Sequence, residues 1–298
     1  MNLLKRTIFG TLFISPMKKK IEIKKAKTAG FCFGVKRAVT MTEKALKNPK
    51  SDVFCWGELI HNPQVIKKLE KAGLKTTKSF AYIKKGDFLI IRSHGVGPEV
   101  FEKAKKKGIN VIDATCPFVS QAQKVAAEFE KQGRQVVIFG DPKHSEVIGI
   151  KGFAKKSLVI KNIQESKKLK NFSHIGFLAQ TTQKKDEFKK IEKELEKCSQ
   201  DLVVQNTICL DSFNKKEEVG DLSRKVDVMI IVGGKNSNNT KKLAEVSKKN
   251  KTKTYHIEDA QEIKKNWLTK AQKIGIAAGA STPDESIQGV IKKIKEII

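Results

Sequence analysis

The chain has few of the residues that mark several common classes of protein. Its 298 residues include 7 prolines, 2 tryptophans, 2 tyrosines and 5 cysteines. An odd number of cysteines argues against a closed disulfide framework and favours a reducing compartment. No apolar run reaches the ~18–20 residues of a membrane span. The sequence therefore predicts a cytoplasmic protein without a membrane partner, and residues 1–16, a short basic and apolar stretch without a cleavage site, are predicted to be an extension.

Acidic residues are scarce relative to basic ones. Lys and Arg number 60 against 32 Asp and Glu, which gives a net charge of +28. Such an excess is typical of proteins that bind nucleic acid, anionic membranes or anionic small molecules. The lysines are spread along helix-like segments with few aromatic residues between them, which favours solvated helix faces and no nucleic-acid partner. Neither a Walker-type loop nor a G-x-G-x-x-G turn follows a strand, so no nucleotide site is predicted.

Three of the five cysteines occur in a repeated setting. Cys32, Cys116 and Cys209 lie 84 and 93 residues apart, and each precedes a helix-like segment. A short apolar run follows and ends in glycine 25, 24 and 24 residues after the respective cysteine. Polar residues stand four positions past each glycine and at the end of a second apolar run. These polar residues are His61, His94, His144, Thr181, Thr182, Ser237, Asn238, Asn239 and Ser281.

Short apolar runs that alternate with helices predict parallel strands in α/β units. Side chains at the carboxyl ends of such strands meet at one edge of the sheet. We therefore predict an α/β fold of three pseudo-repeated sections, each with a small, mostly parallel sheet. Grouped around one centre, they would bring the three cysteines together. The sections would cover residues 17–116, including an N-terminal strand, 117–205 and 206–298.

Three thiols at helix starts point to a metal centre. A helix N-terminus favours the thiolate, and three thiolates in one cavity repel each other unless a metal neutralises them. Structural zinc usually takes four ligands from closely spaced cysteines, and a nucleophilic cysteine needs one thiol and a base. An iron–sulfur cluster held by three thiolates, with one iron open to substrate, fits better. Cys55 and Cys198 lie away from the repeated edge and are predicted to be ordinary packing residues.

The polar residues of the repeated edge are of the types that bind an anion, most naturally a phosphate. Glu146 lies two residues past His144, near the proposed cavity. Its carboxyl would be a proton donor if burial and a nearby anion keep it protonated. The alternative is a carboxylate that interacts with backbone N–H groups at a helix start. His174 opens a strand at the opposite end and is predicted to be structural.

Nine motifs in order from about residue 21 to the C-terminus resemble those of the 4-hydroxy-3-methylbut-2-enyl diphosphate reductase family. They are GFCFGVKRAV, ELIHNPQV, RSHGV, DATCPFV, HSEVIG, QTT, NTIC, VGGKNSNNT and AGASTPD. The resemblance implies a trefoil around a [4Fe–4S] cluster, with Cys32, Cys116 and Cys209 as ligands. It implies reductive removal of an allylic hydroxyl, giving isopentenyl and dimethylallyl diphosphate in the last step of the non-mevalonate isoprenoid pathway.

The resemblance also implies roles for the polar residues. Glu146 would relay a proton and Thr181 would lie near the substrate hydroxyl, while electrons would come from a ferredoxin- or flavodoxin-like partner. Substrate would be bound by His61, His94, His144, Ser237, Asn238, Asn239 and Ser281. Asn238 stands where many members carry serine, but its amide can still bond a phosphate oxygen.

The segment after NTIC departs from the family pattern. It reads LDSFNKKEEV, so Asp211 is expected to bring an anion near the cluster. Two other functions stay open at this point. One is a basic nucleic-acid-binding protein with a structural metal, and the other is a zinc hydrolase of a phosphorylated small molecule, with the zinc on three thiolates.

Overall fold

A computed structural model describes residues 21–47 and 51–298. This part of the chain forms twelve strands and ten α-helices, with single 3₁₀ turns at Ala260–Glu262 and Lys265–Trp267. The strands are β1 (Glu22–Lys25), β2 (Val53–Trp56), β3 (Leu74–Thr77), β4 (Phe88–Ile91), β5 (Asn110–Asp113), β6 (Gln135–Phe139), β7 (Leu158–Ile160), β8 (Phe172–Ala179), β9 (Ser199–Val204), β10 (Val228–Val232), β11 (Lys253–Ile257) and β12 (Lys273–Ala278). The helices are α1 (Phe33–Ala45), α2 (Pro63–Lys71), α3 (Pro98–Lys106), α4 (Pro117–Lys131), α5 (Ser145–Phe153), α6 (Ile163–Ser166), α7 (Lys185–Leu195), α8 (Leu210–Ser223), α9 (Asn238–Lys249) and α10 (Asp284–Ile297).

The strands form three four-stranded sheets, and every pairing within them is parallel. The sheet orders are β3-β2-β4-β5, β7-β6-β8-β9 and β11-β10-β12-β1. All three therefore share one topology, in which the strand that ends in the matched glycine lies second. The prediction of three pseudo-repeated α/β sections with small parallel sheets is confirmed.

The N-terminal strand β1 does not join the sheet of the section that follows it in the sequence. By sequence order β1 precedes the first section, with which the prediction grouped it, but its hydrogen bonds go to β12 of the third sheet, with Ile23 opposite Ile274. β5 and β9 hold the same edge position in the other two sheets. The chain ends in α10 without a fourth strand of its own for the third sheet. β1 supplies that strand, so the first and last strands of the described residues are neighbours in one sheet.

Each sheet is buried on both faces, which explains why its central strands are continuous apolar runs. Successive residues of a strand point to opposite faces. Thus Ile90 packs into one core cluster, while Leu89 and Ile91 pack into another on the far side of the sheet. The other two sheets show the same alternation, at Val137, Ile138 and Phe139 and at Met229, Ile230 and Ile231.

The matched glycines stand where another group approaches the backbone closely. A Cβ at Gly57 would lie 2.9 Å from the guanidinium of Arg92, and one at Gly233 would lie 2.6 Å from the hydroxyl of Thr282. Both glycines also have positive φ, at +73° and +147°. At Gly140 a Cβ would lie 2.8 Å from Val147. The glycine at each strand end therefore permits the tight turn toward the polar residue that follows.

Within residues 21–47 and 51–298, none of the helices has the length and apolar character to cross a membrane.

Candidate active site

The three repeated cysteines each cap the N-terminus of a helix. Cys32 precedes α1, Cys116 precedes α4 and Cys209 precedes α8. Their backbone N–H groups donate in the same way to a carbonyl just past the third strand of a sheet: Cys116 to Ser93 (2.9 Å), Cys209 to Thr181 (2.8 Å) and Cys32 to Ala280 (3.1 Å). We call these three cysteines the cysteine frame. Each member is anchored to one sheet and starts a helix, so the frame closes a ring through all three sections.

A cavity of about 120 Å³ lies between the sections. Every predicted site residue lines it. These are Cys32, His61, His94, Cys116, His144, Glu146, Thr181, Cys209, Ser237, Asn238, Asn239 and Ser281. We call the nine of these that are not cysteines the polar wall. Cys55 and Cys198 are away from the cavity, packed in the first and second sections, and His174 is an exposed partner of Asp201. The topology thus gathers one thiol and its polar neighbours from each strand edge.

The first residues of α1 fit closely against the neighbouring thiol. A Cβ at Gly34 would lie 2.5 Å from Sγ of Cys116. Any larger side chain at Gly34 would displace that thiol, so the glycine lets the starts of α1 and α4 approach each other. This contact places the helix that starts after Cys32 directly against Cys116.

Burial controls the acidity of the thiols. It raises the pKa of Cys32, and it raises the pKa of Cys116 to about 11. The backbone N–H groups of Phe118 and Val119 lower the pKa of Cys116, whereas the charges of Cys32 and Cys209 raise it further. Three ionised thiols in this cavity therefore require a cation, while the helix starts already favour the thiolate. The donor set and its buried position fit a metal centre with multiple positive charges.

Three histidine rings belong to the polar wall. His61 and His94 come from the first section and His144 from the second. The ring centres of His61 and His94 are 4.3 Å apart, and each lies 5.6 Å from the ring of His144. Burial lowers the pKa of all three, to about 4 for His144 and well below the ordinary value for His94. The positive charge of Arg92 also lowers the pKa of each ring. In the free protein the rings are therefore neutral hydrogen-bonding groups at neutral pH.

The tautomer of His144 follows from its position as the cap of α5. Its Nδ1 accepts a hydrogen bond from the backbone N–H of Glu146 at 3.2 Å. A neutral ring that accepts at Nδ1 carries its proton on Nε2. The ligand atoms of the three histidines all lie within 4.8 Å of one another, a spacing that could hold a metal ion. The N–H of His144 at Nε2 favours an anion over a metal at this end of the cavity.

Glu146 and Thr181 form a buried pair in the second section. The backbone N–H of Thr181 donates to Oε1 of Glu146 at 2.6 Å, and its hydroxyl donates to Oε2 at 3.0 Å. Glu146 is only 2% exposed. Burial raises its pKa to about 7, although the two donors of Thr181 and the charge of Lys242 act in the opposite direction. The carboxyl is therefore able to hold a proton near neutral pH.

Two lysines of the third section lie behind this pair. Nζ of Lys242 donates to the carbonyl of Thr182 and to Oε1 of Gln183, both at 3.0 Å. Nζ of Lys216 donates to the same carbonyl at 2.9 Å. Burial lowers the pKa of each lysine to about 8. The two ammonium groups therefore fasten the Thr181–Gln183 turn to α8 and α9.

The third section contributes side chains at the start of α9 and after β12. Ser237 caps α9, and the buried Asn239 follows in its first turn. The hydroxyl of Ser281 donates to the carbonyl of His61 at 3.1 Å, and Nδ2 of Asn62 donates to the carbonyl of Ser281 at 2.8 Å. These two bonds join the first and third sections beside the cavity, which sets the position of Ser281 relative to the histidines.

Sequence reasoning missed Lys215, which also lines the cavity. Its buried Nζ donates to the carbonyls of Thr28 and Gly30 just before Cys32. Asp211 lines the cavity as expected, and its charge acts on both Cys32 and Lys215. The positive charge of Lys215 therefore balances the negative charge of Asp211 at the start of α8. Nothing marked it out in advance, because it is one of 60 basic residues and most of them are solvated.

The fold and site define an α/β trefoil protein with a central cavity that combines three thiols, three imidazoles and a buried carboxyl. The sequence model of the LytB protein family matches residues 23–295. The chain therefore belongs to the LytB family.

Two relatives of the chain carry the same name. The chain is 41% identical over 281 residues to the 4-hydroxy-3-methylbut-2-enyl diphosphate reductase of Aquifex aeolicus, covering 93% of this chain and 97% of that protein. It is 43% identical over 281 residues to the reductase of the same name from Caldanaerobacter subterraneus, with coverage of 93% and 98%. The resemblance drawn from the motifs is confirmed.

Solved structures agree with the sequence comparison. A structure of (E)-4-hydroxy-3-methyl-but-2-enyl diphosphate reductase, the terminal enzyme of the non-mevalonate pathway, is 41% identical, with a TM-score of 0.71 and coverage of 93% of this chain and 99% of that one. The E-1-hydroxy-2-methyl-but-2-enyl-4-diphosphate reductase of Plasmodium falciparum is 27% identical, with a TM-score of 0.85 and coverage of 92% and 87%. The trefoil of three small sheets is thus shared with reductases.

Proposed function

We propose that the chain reduces 4-hydroxy-3-methylbut-2-enyl diphosphate to isopentenyl and dimethylallyl diphosphate, the last step of the non-mevalonate isoprenoid pathway. The carbon–oxygen bond of the allylic hydroxyl breaks and a carbon–hydrogen bond forms. Two electrons and two protons are consumed, and the hydroxyl leaves as water. The observation that carries the proposal is the meeting of the cysteine frame, the histidines and the Glu146–Thr181 pair in one cavity.

Cys32, Cys116 and Cys209 would hold a [4Fe–4S] cluster. Such a cluster supplies electrons and, at an iron without a protein ligand, Lewis acidity toward the hydroxyl oxygen. Three observations support this assignment: each cysteine is the N-cap residue of a helix, all three line one cavity, and the charges of Cys32 and Cys209 raise the pKa of Cys116. A single tetrahedral zinc would need sulfurs roughly 3.8 Å apart. Among the described residues, the group of three or more ligand atoms that lie within 4.8 Å of one another is made of the three histidines and contains no cysteine.

The diphosphate would be bound by the residues of the polar wall other than Glu146 and Thr181. The N–H at Nε2 of His144 and the start of α9 are donors suited to phosphate oxygens. His61 and His94 are neutral in the free protein, and an incoming anion favours their protonation, so binding would add positive charge where it is needed. The full set is His61, His94, His144, Ser237, Asn238, Asn239 and Ser281. Held at that end, the substrate directs its hydroxyl away from the diphosphate site.

Glu146 would donate the proton to the departing hydroxyl. It holds that proton near neutral pH because it is buried, and its contact with the hydroxyl of Thr181 gives a short route into the cavity. A diphosphate nearby raises the pKa of the carboxyl further. Thr181 would orient the substrate hydroxyl and pass the proton. The electrons would come one at a time from a ferredoxin- or flavodoxin-like protein.

Anaerobic purification followed by iron and sulfide analysis tests the cofactor. We expect about four irons and four inorganic sulfides per chain and a broad visible absorption that disappears in air. Turnover is then measured with the allylic diphosphate and reduced methyl viologen, and both diphosphate products are expected. A colourless protein containing zinc, or a loaded protein that leaves the substrate unchanged, would refute the proposal.

A further inference from the structure

Exposed apolar side chains surround the cysteine frame. Among the described residues six large hydrophobic side chains are exposed, and three of them follow the cysteines of the frame. Phe33 follows Cys32 and is 60% exposed, Phe118 lies two residues after Cys116 and is 40% exposed, and Leu210 follows Cys209 and is 67% exposed. Each comes from a different section. We call these three residues the apolar rim.

The fold does not require the apolar rim to be apolar. Each member lies in the first turn of its helix and is exposed, and Phe118 also lines the cavity. Single exposed apolar residues are normal on a protein surface, but a group around one site is typical of an interaction surface. A Cβ at Gly34 would lie 2.5 Å from Sγ of Cys116, so the starts of α1 and α4 are close together, and Phe118 itself lines the cavity that the three cysteines share.

Basic side chains and helix N-termini lie beside the rim. α1 and α4 carry no acidic residue in their first turns, and the helix starts add partial positive charge. The exposed Lys36 lies one turn after Phe33 on α1. Nζ of Lys185 lies 5.5 Å from the ring of Phe213, which is one turn after Leu210. Acidic residues lie here too: Asp211 lines the cavity and interacts with the buried Lys215, and Asp186 and Glu187 follow Lys185 in the first turn of α7.

We propose that the apolar rim, bordered by Lys36 and Lys185, is the docking surface for an acidic one-electron carrier protein. This inference rests on the proposed function, which consumes two electrons per substrate. Two reduced carrier molecules would each give up one electron here. The two electrons and two protons are consumed in forming the new carbon–hydrogen bond and water. Phe33, Phe118 and Leu210 give the close apolar contact of the interface, while the lysines attract the acidic partner. Weak redox encounters use small interfaces of this kind.

Binding of purified carriers tests the surface directly. The cluster-loaded chain is immobilised anaerobically, and an acidic [2Fe–2S] ferredoxin and a flavodoxin are passed over it at low ionic strength. We expect at least one to bind, with Kd raised about tenfold or more by Leu210→Ser or Phe33→Ser. Tyr82→Ser is the matched control. Tyr82 is 73% exposed, but its loop lies near the C-terminal end of α3, where Lys107 donates to the carbonyl of Phe80.

A charge variant keeps the test independent of the residues beside the cysteines. Lys36→Glu is expected to slow association several-fold at low salt and to have little effect at high salt, because the interaction is screened. Equal weakening by Tyr82→Ser, unchanged binding in all three rim and border variants, or wild-type protein that binds neither carrier would overturn the proposal. Formation of a dimer through Leu210 in place of carrier binding would also overturn it.

Turnover separates this inference from the proposed function. Leu210→Ser and Lys36→Glu should lose carrier-supported turnover while keeping turnover with reduced methyl viologen, a small dye that needs no docking surface. Wild-type protein that turns over with neither reductant refutes the proposed function. Wild-type protein that is active with both, beside variants that keep full carrier-supported activity and carrier affinity, refutes only the docking surface.

Discussion

The cysteine frame and the polar wall share one cavity but are built differently. The frame takes its three cysteines from equivalent positions of the repeat, each directly before a helix and each bonded through its backbone N–H to the end of a strand. The polar wall is uneven: the first section supplies two histidines, the second supplies His144, Glu146 and Thr181, and the third supplies hydroxyl and amide groups. A threefold repeat is sufficient to build a frame for a compact cofactor. Directional chemistry needs the repeats to differ, and only the second section has a buried carboxyl in the cavity.

The largest expected effect is at the frame. Cys116→Ser replaces one of the three thiolates, the ligands that iron–sulfur clusters take, by a hydroxyl. We expect loss of the cluster and of all activity. Iron and sulfide counts and visible absorption measure this outcome. Cys198→Ser is the control, because Cys198 packs in the second section away from the cavity. A full cluster in Cys116→Ser would show that the frame does not act as one unit.

The next largest effect is at Glu146. Glu146→Gln keeps the shape of the side chain but has no proton to donate, so we expect kcat to fall by about 10²–10⁴-fold with the cluster intact. Because the pKa of Glu146 is about 7, wild-type activity should decline as pH rises through about 7. The measurement is kcat/KM against pH with reduced methyl viologen, because kcat/KM reports the pKa of the free enzyme. Glu165→Gln is the control, and full activity in Glu146→Gln would remove this carboxyl from the mechanism.

Glu146 also links pH to stability. Its pKa in the folded chain, about 7, is above the ordinary value, so the folded state binds the extra proton. The contribution of this group to stability is therefore present at low pH and is lost as pH rises through about 7. We expect Glu146→Gln to lose less stability than the wild type between about pH 6 and pH 8. Denaturant unfolding at the two pH values measures the difference.

A smaller effect is expected in the wall of the first section. His61→Asn removes one imidazole from the anion site but leaves the frame and the Glu146–Thr181 pair in place. We expect KM to rise about tenfold, with a smaller change in kcat, since one charge-assisted hydrogen bond is lost. Steady-state kinetics with the allylic diphosphate provide the values. His174→Asn, an exposed control, should match the wild type, and an unchanged KM in His61→Asn would contradict the anion-site role.

The smallest expected effect is at Lys242, which donates hydrogen bonds to Thr182 and Gln183 in the turn that follows Thr181. Its charge lowers the pKa of Glu146. Lys242→Met should therefore raise that pKa and move the decline of kcat/KM to higher pH, by less than about one unit. It should also lower kcat a few-fold, because the carbonyl of Thr182 loses a donor. Lys241→Met, the exposed neighbour on α9, is the control. An unshifted pH profile would leave Lys242 with a purely structural role.

Several features of the site could be predicted because they depend on local patterns. A cysteine before a helix, an apolar run and a glycine at its end are neighbours in sequence, and three matched copies predicted that Cys32, Cys116 and Cys209 meet. The polar tips followed from the parallel strands. The place of β1 could not be predicted this way, because its partner β12 is at the other end of the chain. Lys215, Lys216 and Lys242 were also missed, because burial alone distinguishes them from the solvated lysines.

The sequence by itself determined the repeat, the helix and strand pattern and the identity of the groups that reach the cavity. Tertiary structure decided which strand closes the third sheet, which lysines are buried, and in which protonation state Glu146 and His144 stand. The physical reason is that secondary structure follows from residues a few positions apart. A pKa instead depends on the desolvation and the charges that distant segments impose once they pack together.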